Sequence, residues 1–334
     1  MAKLLNEKTI KQLITMSEAN KIIDKTFQGF GNETVVNPPK VTLDLGETGG
    51  YPYHEGFVNA MPAYIGDSDI AGLKWVSGTA GKRKEAGLPF ISALIVLMDP
   101  AMGEFISVME GTHISNLRTG AQTAVSLKYL GFKDGLSIGL YGAGEQARFQ
   151  IEAIADLFDI KELRVWNHRA STAEKFAEDM AEYVKGDIIV CQPDEGEKAA
   201  QADILITVTN AQEPILLRKW VQPGTVVFPM GSFQEIDDDM ILSMDKLVVD
   251  HPYQALNRGA LKRLNSEGKV SEDDVFTTLG ELAVGKSTMP DFSDELVMCI
   301  PIGTGAMDVA VAEAVYQKAI SNQAGDEYAF VEYE

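Results

Sequence analysis

A glycine pair and two cations are the chemically suggestive features of this sequence. The apolar run Leu136-Ser-Ile-Gly-Leu-Tyr141 stops at Gly142-Ala-Gly144-Glu-Gln-Ala147, where a helix starts. The first glycine permits a tight turn. The second lets a phosphate approach bare backbone, and Ala147, in the small third position, lets the helix pack close to the strand. The helix N-terminus then offers free N–H groups and a partial positive charge to a pyrophosphate. An ordinary strand-to-helix turn is the plainer alternative; the strand before it and the helical stripe Ala147, Ile151, Ile154 and Leu157 after it favour a dinucleotide turn.

The cations are Lys74, inside Ile70-Ala-Gly-Leu-Lys-Trp-Val-Ser77, and Arg118, inside Ile114-Ser-Asn-Leu-Arg-Thr-Gly-Ala-Gln-Thr123. A strand lysine between apolar neighbours points opposite to Leu73 and Trp75, either onto a wet face or into a cleft. Near Arg118 and a nicotinamide ring, Lys74 would hold a carboxylate or shuttle a proton, and desolvation would lower its pKa into a usable range. The expectation is that the glycine turn and these cations meet across one cleft.

The residues after the second strand of the nucleotide domain bear on the cofactor. An NAD-selective site usually carries an acid there, bonded to the ribose hydroxyls. Here the sequence reads Asn167-His-Arg-Ala-Ser171, with no acid. Asn167 bonds a ribose oxygen without repelling a phosphate, Arg169 pairs with a 2′-phosphate and Ser171 donates to it. This favours NADP(H), with NAD(H) left open and a solvated basic turn as the plain alternative. His168 lies in the same turn and is given no part in proton transfer.

These groups need a scaffold, and the chain is long enough for two domains: 334 residues, 45% hydrophobic. A net charge of −20 argues against nucleic acid or an anionic membrane as partner, and requires a local basic cluster to draw in an anionic substrate. Cys191 and Cys299 have no metal-ligand spacing and read as buried free thiols in a reducing compartment, a disulfide being the second reading. No metal site is expected. The N-terminal residues lack the apolar core of a signal peptide and no apolar run reaches spanning length, so a cytoplasmic protein is expected.

Residues 7 to 28 read as two short helices, the second capped by Ser17. Asn37-Pro-Pro-Lys40 opens an extended segment, and a turn-rich loop carries Tyr51, Tyr53 and His54, read either as a cover for substrate or as a surface turn. Strands over 57–64, 70–77, 90–98 and 104–109 follow without intervening helices, which suggests a mixed or antiparallel sheet. A helix covers 115–130. From Leu136 strand and helix alternate, with strands over 136–141, 163–166, 188–191, 203–209, 225–228 and 247–249, and a capping box at Ser171-Thr-Ala-Glu174. This order fits a doubly wound parallel sheet. The apolar helix Ala306 to Ala319 is expected to return to the first domain, and the acidic tail over 325–334 to be a loosely held end.

Taken together, Ala71-Gly-Leu-Lys-Trp-Val-Ser77, Gly87-Leu-Pro89, Leu97-Met-Asp-Pro100, Leu117-Arg-Thr-Gly-Ala121, Gly142-Ala-Gly-Glu-Gln-Ala147, Trp166-Asn167, Ala202-Asp203 and Gly303-Thr-Gly-Ala-Met-Asp308 resemble the ornithine cyclodeaminase/mu-crystallin family. The resemblance spans about residues 5 to 320. It implies an α/β protein: a Rossmann-type nucleotide-binding domain over 126–304, and an α+β substrate and dimerisation domain over 1–125 and 305–325, followed by a tail over 326–334. It implies a homodimer joined through its sheets. Lys74 would contact the substrate carboxylate or transfer a proton. Lys40, by its Pro-Pro context, would stand where the family clamps the carboxylate with arginine, a weaker, non-bidentate grip. Arg118 would lie near substrate and nicotinamide. Cofactor contacts would come from Arg118, Thr119, Gly142, Gly144, Glu145, Gln146, Ala147, Asn167, His168, Arg169, Ser171, Thr209, Met230 and Gly231. After the fifth strand, cyclodeaminases resemble Gly-Gly-Asp, with that Asp binding the side-chain amine. This chain reads Met230-Gly-Ser-Phe-Gln-Glu-Ile236, with Phe233 at the Asp position in a shorter loop, suited to an apolar side chain or ring. Asp237, Asp238 or Asp239 would substitute only if they were not the start of a solvated helix.

The leading reading is an NAD(P)H-dependent oxidoreductase acting on an amino acid or imino acid carbon–nitrogen bond: a ketimine or cyclic imino acid reductase, or an amino acid dehydrogenase. Ornithine cyclodeaminase, which converts ornithine to proline and ammonia, is the alternative. A non-catalytic NADPH-dependent small-molecule binder is a third reading of another class, and an opine-type condensation of an amino acid with a keto acid a fourth.

Overall fold

In the computed structural model, which describes residues 1–46, 52–231 and 234–331, the chain divides into two units, Met1–Arg118 with Thr304–Glu334, and Thr119–Gly303. The first begins with β1 (Ala2–Leu5), α1 (Glu7–Leu13), α2 (Met16–Gly31), β2 (Val35–Val36), β3 (Val41–Asp44), β4 (Gly56–Ile65), β5 (Ile70–Thr79), α3 (Lys82–Glu85), β6 (Ile91–Asp99), β7 (Glu104–Glu110) and α4 (Thr112–Tyr129), the division falling inside α4. The second holds β8 (Leu136–Tyr141), α5 (Glu145–Leu157), β9 (Ile160–Trp166), α6 (Ala170–Met180), β10 (Asp187–Cys191), α7 (Gly196–Ala199), β11 (Ile204–Thr207), β12 (Val226–Pro229), α8 (Asp238–Leu242), β13 (Lys246–Val249), α9 (Pro252–Leu256), α10 (Lys262–Ser266), β14 (Val275–Thr278), α11 (Leu279–Ala283) and β15 (Val297–Ile300). Helix α12 (Gly305–Ser321) and β16 (Asp326–Tyr328) belong to the first unit.

The first unit is a mixed sheet in the order β16-β1-β7-β6-β5-β4-β2, with β3 also on β4. Only the β1–β7 pairing is parallel. Alternation along β5 decides its two faces: Lys74 and Val76 are buried while Trp75 is 61% exposed. The row Met61, Lys74 and Ile95 therefore faces inward. Helix α12 packs on β4, β5, β6 and α2, as its apolar composition suggested. The opposite face leaves Val41, Leu43, Trp75 and Leu94 exposed.

The expectation of a loose tail is corrected for Asp326–Tyr328. β16 pairs antiparallel with β1, and Lys3 Nζ lies 2.9 Å from a Glu327 carboxylate oxygen. The acidic composition hid a strand held by its backbone pairing with β1 and by this ion pair.

The second unit is an eight-stranded sheet in the order β10-β9-β8-β11-β12-β15-β13-β14, parallel throughout. The order reverses direction between β8 and β11, the kind of switch point outside which ligands bind in such sheets. Strands β14 and β15 were not anticipated from the sequence. Leu157, expected on the buried stripe of α5, is 37% exposed, while Ala147, Ile151 and Ile154 are buried. The Ser171 capping box does not form: α6 starts at Ala170, after Arg169, which puts Ser171 inside its first turn. Among the described residues no helix is long and apolar enough to cross a membrane.

Helix α2 is capped by Thr15, not Ser17, and runs on to Gly31. The Thr15 hydroxyl accepts from Glu18 N at 3.3 Å, and the Glu18 carboxylate accepts from Thr15 N at 3.1 Å. This reciprocal box needs Glu three residues after the cap, a spacing that Thr15 has and Ser17 lacks. Replacement Thr15→Ala should therefore cost about 0.5–2 kcal/mol, whereas Ser17→Ala should stay within about 0.5 kcal/mol. Urea denaturation of the two variants checks this, and equal midpoints would refute the assignment of the cap.

Candidate active site

The first unit buries a four-residue polar centre. Lys74 comes from β5, Ser115 and Arg118 from one face of α4, and Asp308 from the first turn of α12. Lys74 Nζ forms an ion pair with Asp308 Oδ2 at 2.6 Å and donates to Ser115 Oγ at 3.1 Å. Arg118 Nε donates to Asp308 Oδ1 at 3.0 Å, and its Nη2 to Ser115 Oγ at 3.3 Å. Lys74 is 1% exposed and Asp308 is fully buried. The sequence left Lys74 open between a wet face and a cleft; the structure turns it inward.

Burial, and then the like charge of Arg118, push the Lys74 ammonium down to about 8, while the Asp308 carboxylate opposes them. Among these four residues two cations meet one carboxylate, so the centre carries an excess positive charge suited to an anionic group. Asp308 and Ser115 were not singled out from the sequence. The signal for Asp308 was a carboxylate in the first turn of a helix whose first half is otherwise apolar or small.

Lys40 is half-buried on the residue before β3. Val41 pairs with Ala60 and Met61 with Lys74. Lys40 precedes this register by one residue and lies outside β3. Tyr53 and His54 are exposed. Tyr51 and Phe233 lie outside the described residues, so their suggested roles are not addressed by the structure.

The second unit contains the glycine turn. Gly142 has φ +112°, and a Cβ there would lie 2.7 Å from the Val208 carbonyl oxygen, so only glycine fits. Its N–H donates to the Trp166 carbonyl at 2.9 Å, which joins the turn to the end of β9. Gly144 caps α5, and a Cβ added to it would meet nothing within 4 Å. The helix N-terminus thus faces open space that a ligand phosphate can fill. Glu145 is exposed beside it, and Ala147 is fully buried against the sheet. Gln146 Nε2 is buried with no hydrogen-bond partner among the described residues, a donor waiting for an acceptor.

The neighbouring strand ends complete this edge. Asn167 is buried and donates to the Arg169 carbonyl at 3.1 Å, while His168, Arg169 and Ser171 are exposed around the start of α6. The Thr119 carbonyl accepts from Gln150 Nε2 at 3.1 Å. Met230 N donates to the Thr207 carbonyl at 2.8 Å. Glu235, not assigned a role from the sequence, is buried and accepts from Thr207, Thr209 and Gly231. These residues fit a dinucleotide: an open helix N-terminus, an orphaned donor and a basic turn at the expected adenosine end. Among the described residues no group of His, Cys, Asp and Glu is placed to hold a metal ion.

Three similarities place this architecture among known proteins. The rat ketimine reductase mu-crystallin (Rattus norvegicus) is 33% identical over 79% of this chain and 80% of its own. The structure of an archaeal alanine dehydrogenase dimer with bound NAD has a TM-score of 0.89, is 32% identical and covers 99% of both chains. That of the Thermococcus litoralis Δ1-pyrroline-2-carboxylate reductase in complex with NADH and L-proline also has a TM-score of 0.89, is 30% identical and covers 98% of this chain and 100% of the other. The sequence model of the family described as ornithine cyclodeaminase/mu-crystallin matches residues 2–323, and the chain belongs to that family.

Proposed function

We propose that this chain is a nicotinamide-dependent oxidoreductase acting on the carbon–nitrogen bond of a small amino or imino acid. The observation that carries the reading is the buried Lys74, held by Asp308 and Ser115 beside Arg118, in a chain that also carries a dinucleotide turn. Arg118 and Lys40 take the substrate carboxylate. Lys74 supplies the proton that the nitrogen needs as the adjacent carbon is reduced, and accepts it in the reverse direction. Asp308 orients the ammonium and keeps it from losing its charge outright. A reduced nicotinamide, when bound, supplies the hydride. The names of the relatives, which act on alanine, ketimines and a pyrroline carboxylate, support this substrate class.

Cyclodeaminase chemistry is less well supported. It requires a carboxylate for the second amine, and two of the three acids that follow the fifth strand, Asp237 and Asp238, are engaged elsewhere. Asp237 caps α8, accepting from Met240 N and Arg218 N at 3.2 and 3.0 Å, and Asp238 pairs with Arg263.

We assign NADP(H) as the favoured cofactor on the exposed Arg169 and Ser171 and the absence of an acid after β9. The NAD and NADH in the titles of two related structures make NAD(H) the comparison to run alongside. We assign a homodimer on the apolar outer face of the first sheet, since patches of this kind mark association surfaces, and on the dimer named for the alanine dehydrogenase. The two buried free thiols, Cys191 and Cys299, fit a cytoplasmic location.

The test of function is a panel of cyclic imines, keto acids with ammonia, and ornithine, followed at 340 nm with NADPH and NADH. Net cofactor oxidation with an imine or with a keto acid and ammonia is expected. Silence with every substrate would refute the reading. In the reducing direction the protonated Lys74 is required, so kcat/KM should be level below about pH 8 and fall above it; in the oxidising direction it should rise up to about pH 8. Lys74→Met should lower kcat by about 10²–10⁴-fold with cofactor binding retained in a fluorescence titration. Arg169→Ala should weaken NADPH by about tenfold or more and leave NADH nearly unaffected. Trp75→Glu should shift the chain from dimer to monomer in analytical ultracentrifugation.

A further inference from the structure

Glu235 is a buried acid for which the proposed mechanism has no use. It is 1% exposed, and no charged group stands among its partners. Its Oε1 accepts from Thr209 N at 2.5 Å and Thr209 Oγ1 at 2.8 Å; its Oε2 accepts from Thr207 Oγ1 at 2.9 Å and Gly231 N at 2.7 Å. An ionised carboxylate has about four acceptor sites and no donor, so four neutral donors saturate it. Burial pushes its carboxyl above the usual range and these bonds pull it back. Such a charge is costly to keep. A purely structural staple between two loops would be served by an apolar pair.

The four donors belong to the last residue of β11 and to the segments that follow β11 and its parallel neighbour β12, at the carboxyl edge of the sheet beside the switch point. Thr209 in turn presses on the glycine turn: a Cβ on Gly142 would lie 2.8 Å from Thr209 Cγ2. Gly231 is glycine because the carboxylate sits directly over it; a Cβ there would fall 2.3 Å from Glu235 Oε2 and 2.8 Å from the Thr209 carbonyl oxygen.

We propose that Glu235 is a positioning residue which locks Thr207, Thr209 and Gly231 into one preformed wall for the nicotinamide half of the cofactor. The proposal rests on the dinucleotide-dependent reading above and deepens it. Glu235 touches no reacting atom. It sets where Thr209 and Gly231 stand, and through Thr209 it braces the turn at Gly142.

Glu235→Gln tests this, because it keeps the shape but points an amide donor at other donors. Affinity for NADH and NADPH, read from cofactor fluorescence, should fall by about tenfold or more. The KM of the imino acid should change little, and the cofactor-free chain should still melt cooperatively. Thr207→Val removes one donor without touching the charge, and should weaken cofactor binding in the same direction; Thr207→Ser, which restores the hydroxyl, should recover it. Wild-type cofactor affinity in both Glu235→Gln and Thr207→Val would overturn the proposal. If Glu235→Gln fails to fold, equal affinity in Thr207→Val and Thr207→Ser would overturn it. A wild-type chain that turns over imines with NADH while Glu235→Gln keeps both its affinity and its rate would sink the positioning role alone. A wild-type chain that binds neither cofactor would sink the oxidoreductase reading together with it.

Discussion

The ion pair between Lys74 and Asp308 is the constraint from which the first unit follows. Moving an ammonium out of water costs on the order of several kcal/mol even after relaxation. Lys74 is nevertheless buried in the middle of a strand, so a carboxylate has to reach it. That carboxylate comes from the far end of the sequence, on α12. The contact is possible only because the helix lies directly on the sheet. A Cβ on Gly305 would stand 2.5 Å from the Met61 carbonyl oxygen, and one on Gly72 would stand 2.9 Å from Val309 Cγ2. Small residues at both positions let the backbones approach, and the Asp308 carboxylate then reaches the ammonium. The return of the C-terminal helix to an N-terminal sheet is thus tied to the chemistry of a single lysine.

The two units solve the problem of a buried charge in different ways, and the difference matches their tasks. Around Lys74 the partners are themselves charged. A permanent cation, Arg118, works against the ammonium while Asp308 supports it, and the balance brings the lysine to about 8. A group so placed exchanges its proton near neutrality, as general acid–base work requires. Around Glu235 the partners are neutral hydroxyls and amides, all converging on one carboxylate. That arrangement is rigid: each of the four donors fixes a different part of the loops. The first centre can transfer a proton and the second can hold a geometry.

Much of this was legible in the sequence where local rules and burial agreed. The first strand of the parallel sheet spans Leu136–Tyr141 as read, because an apolar run was stopped by Gly142, whose positive φ no other residue tolerates well. Lys74 stood out as a strand lysine between apolar neighbours, and its alternation with Trp75 correctly gave opposite faces. What stayed hidden depended on partners distant in sequence. Nothing near Asp308 reveals that its carboxylate meets two cations. The tail strand β16 is exposed and acidic, and only its pairing with β1 orders it. The two caps were misplaced for different reasons: Thr15, not Ser17, has its glutamate at the third helical position, whereas Ser171 lies two residues past the cap position of its helix.

The overall charge sharpens what the buried cations must do. At −20 the chain repels an amino acid carboxylate at long range, though salt screens that repulsion beyond about 8 Å. Attraction therefore has to come from close groups, and it is strongest where the dielectric is low. Lys74 and Arg118 sit at such a place, sharing one carboxylate between them. In the proposed mechanism a substrate carboxylate bound there would add a second negative charge to the one that Asp308 supplies among these four residues. It would also support the ammonium of Lys74, because an added anion favours the charged form. On that proposal, binding of the anion and arming of Lys74 as the acid would be one electrostatic event. A neutral amine of the same size would gain neither, which is the physical reason to expect α-amino and α-imino acids rather than simple amines as the substrates of this protein.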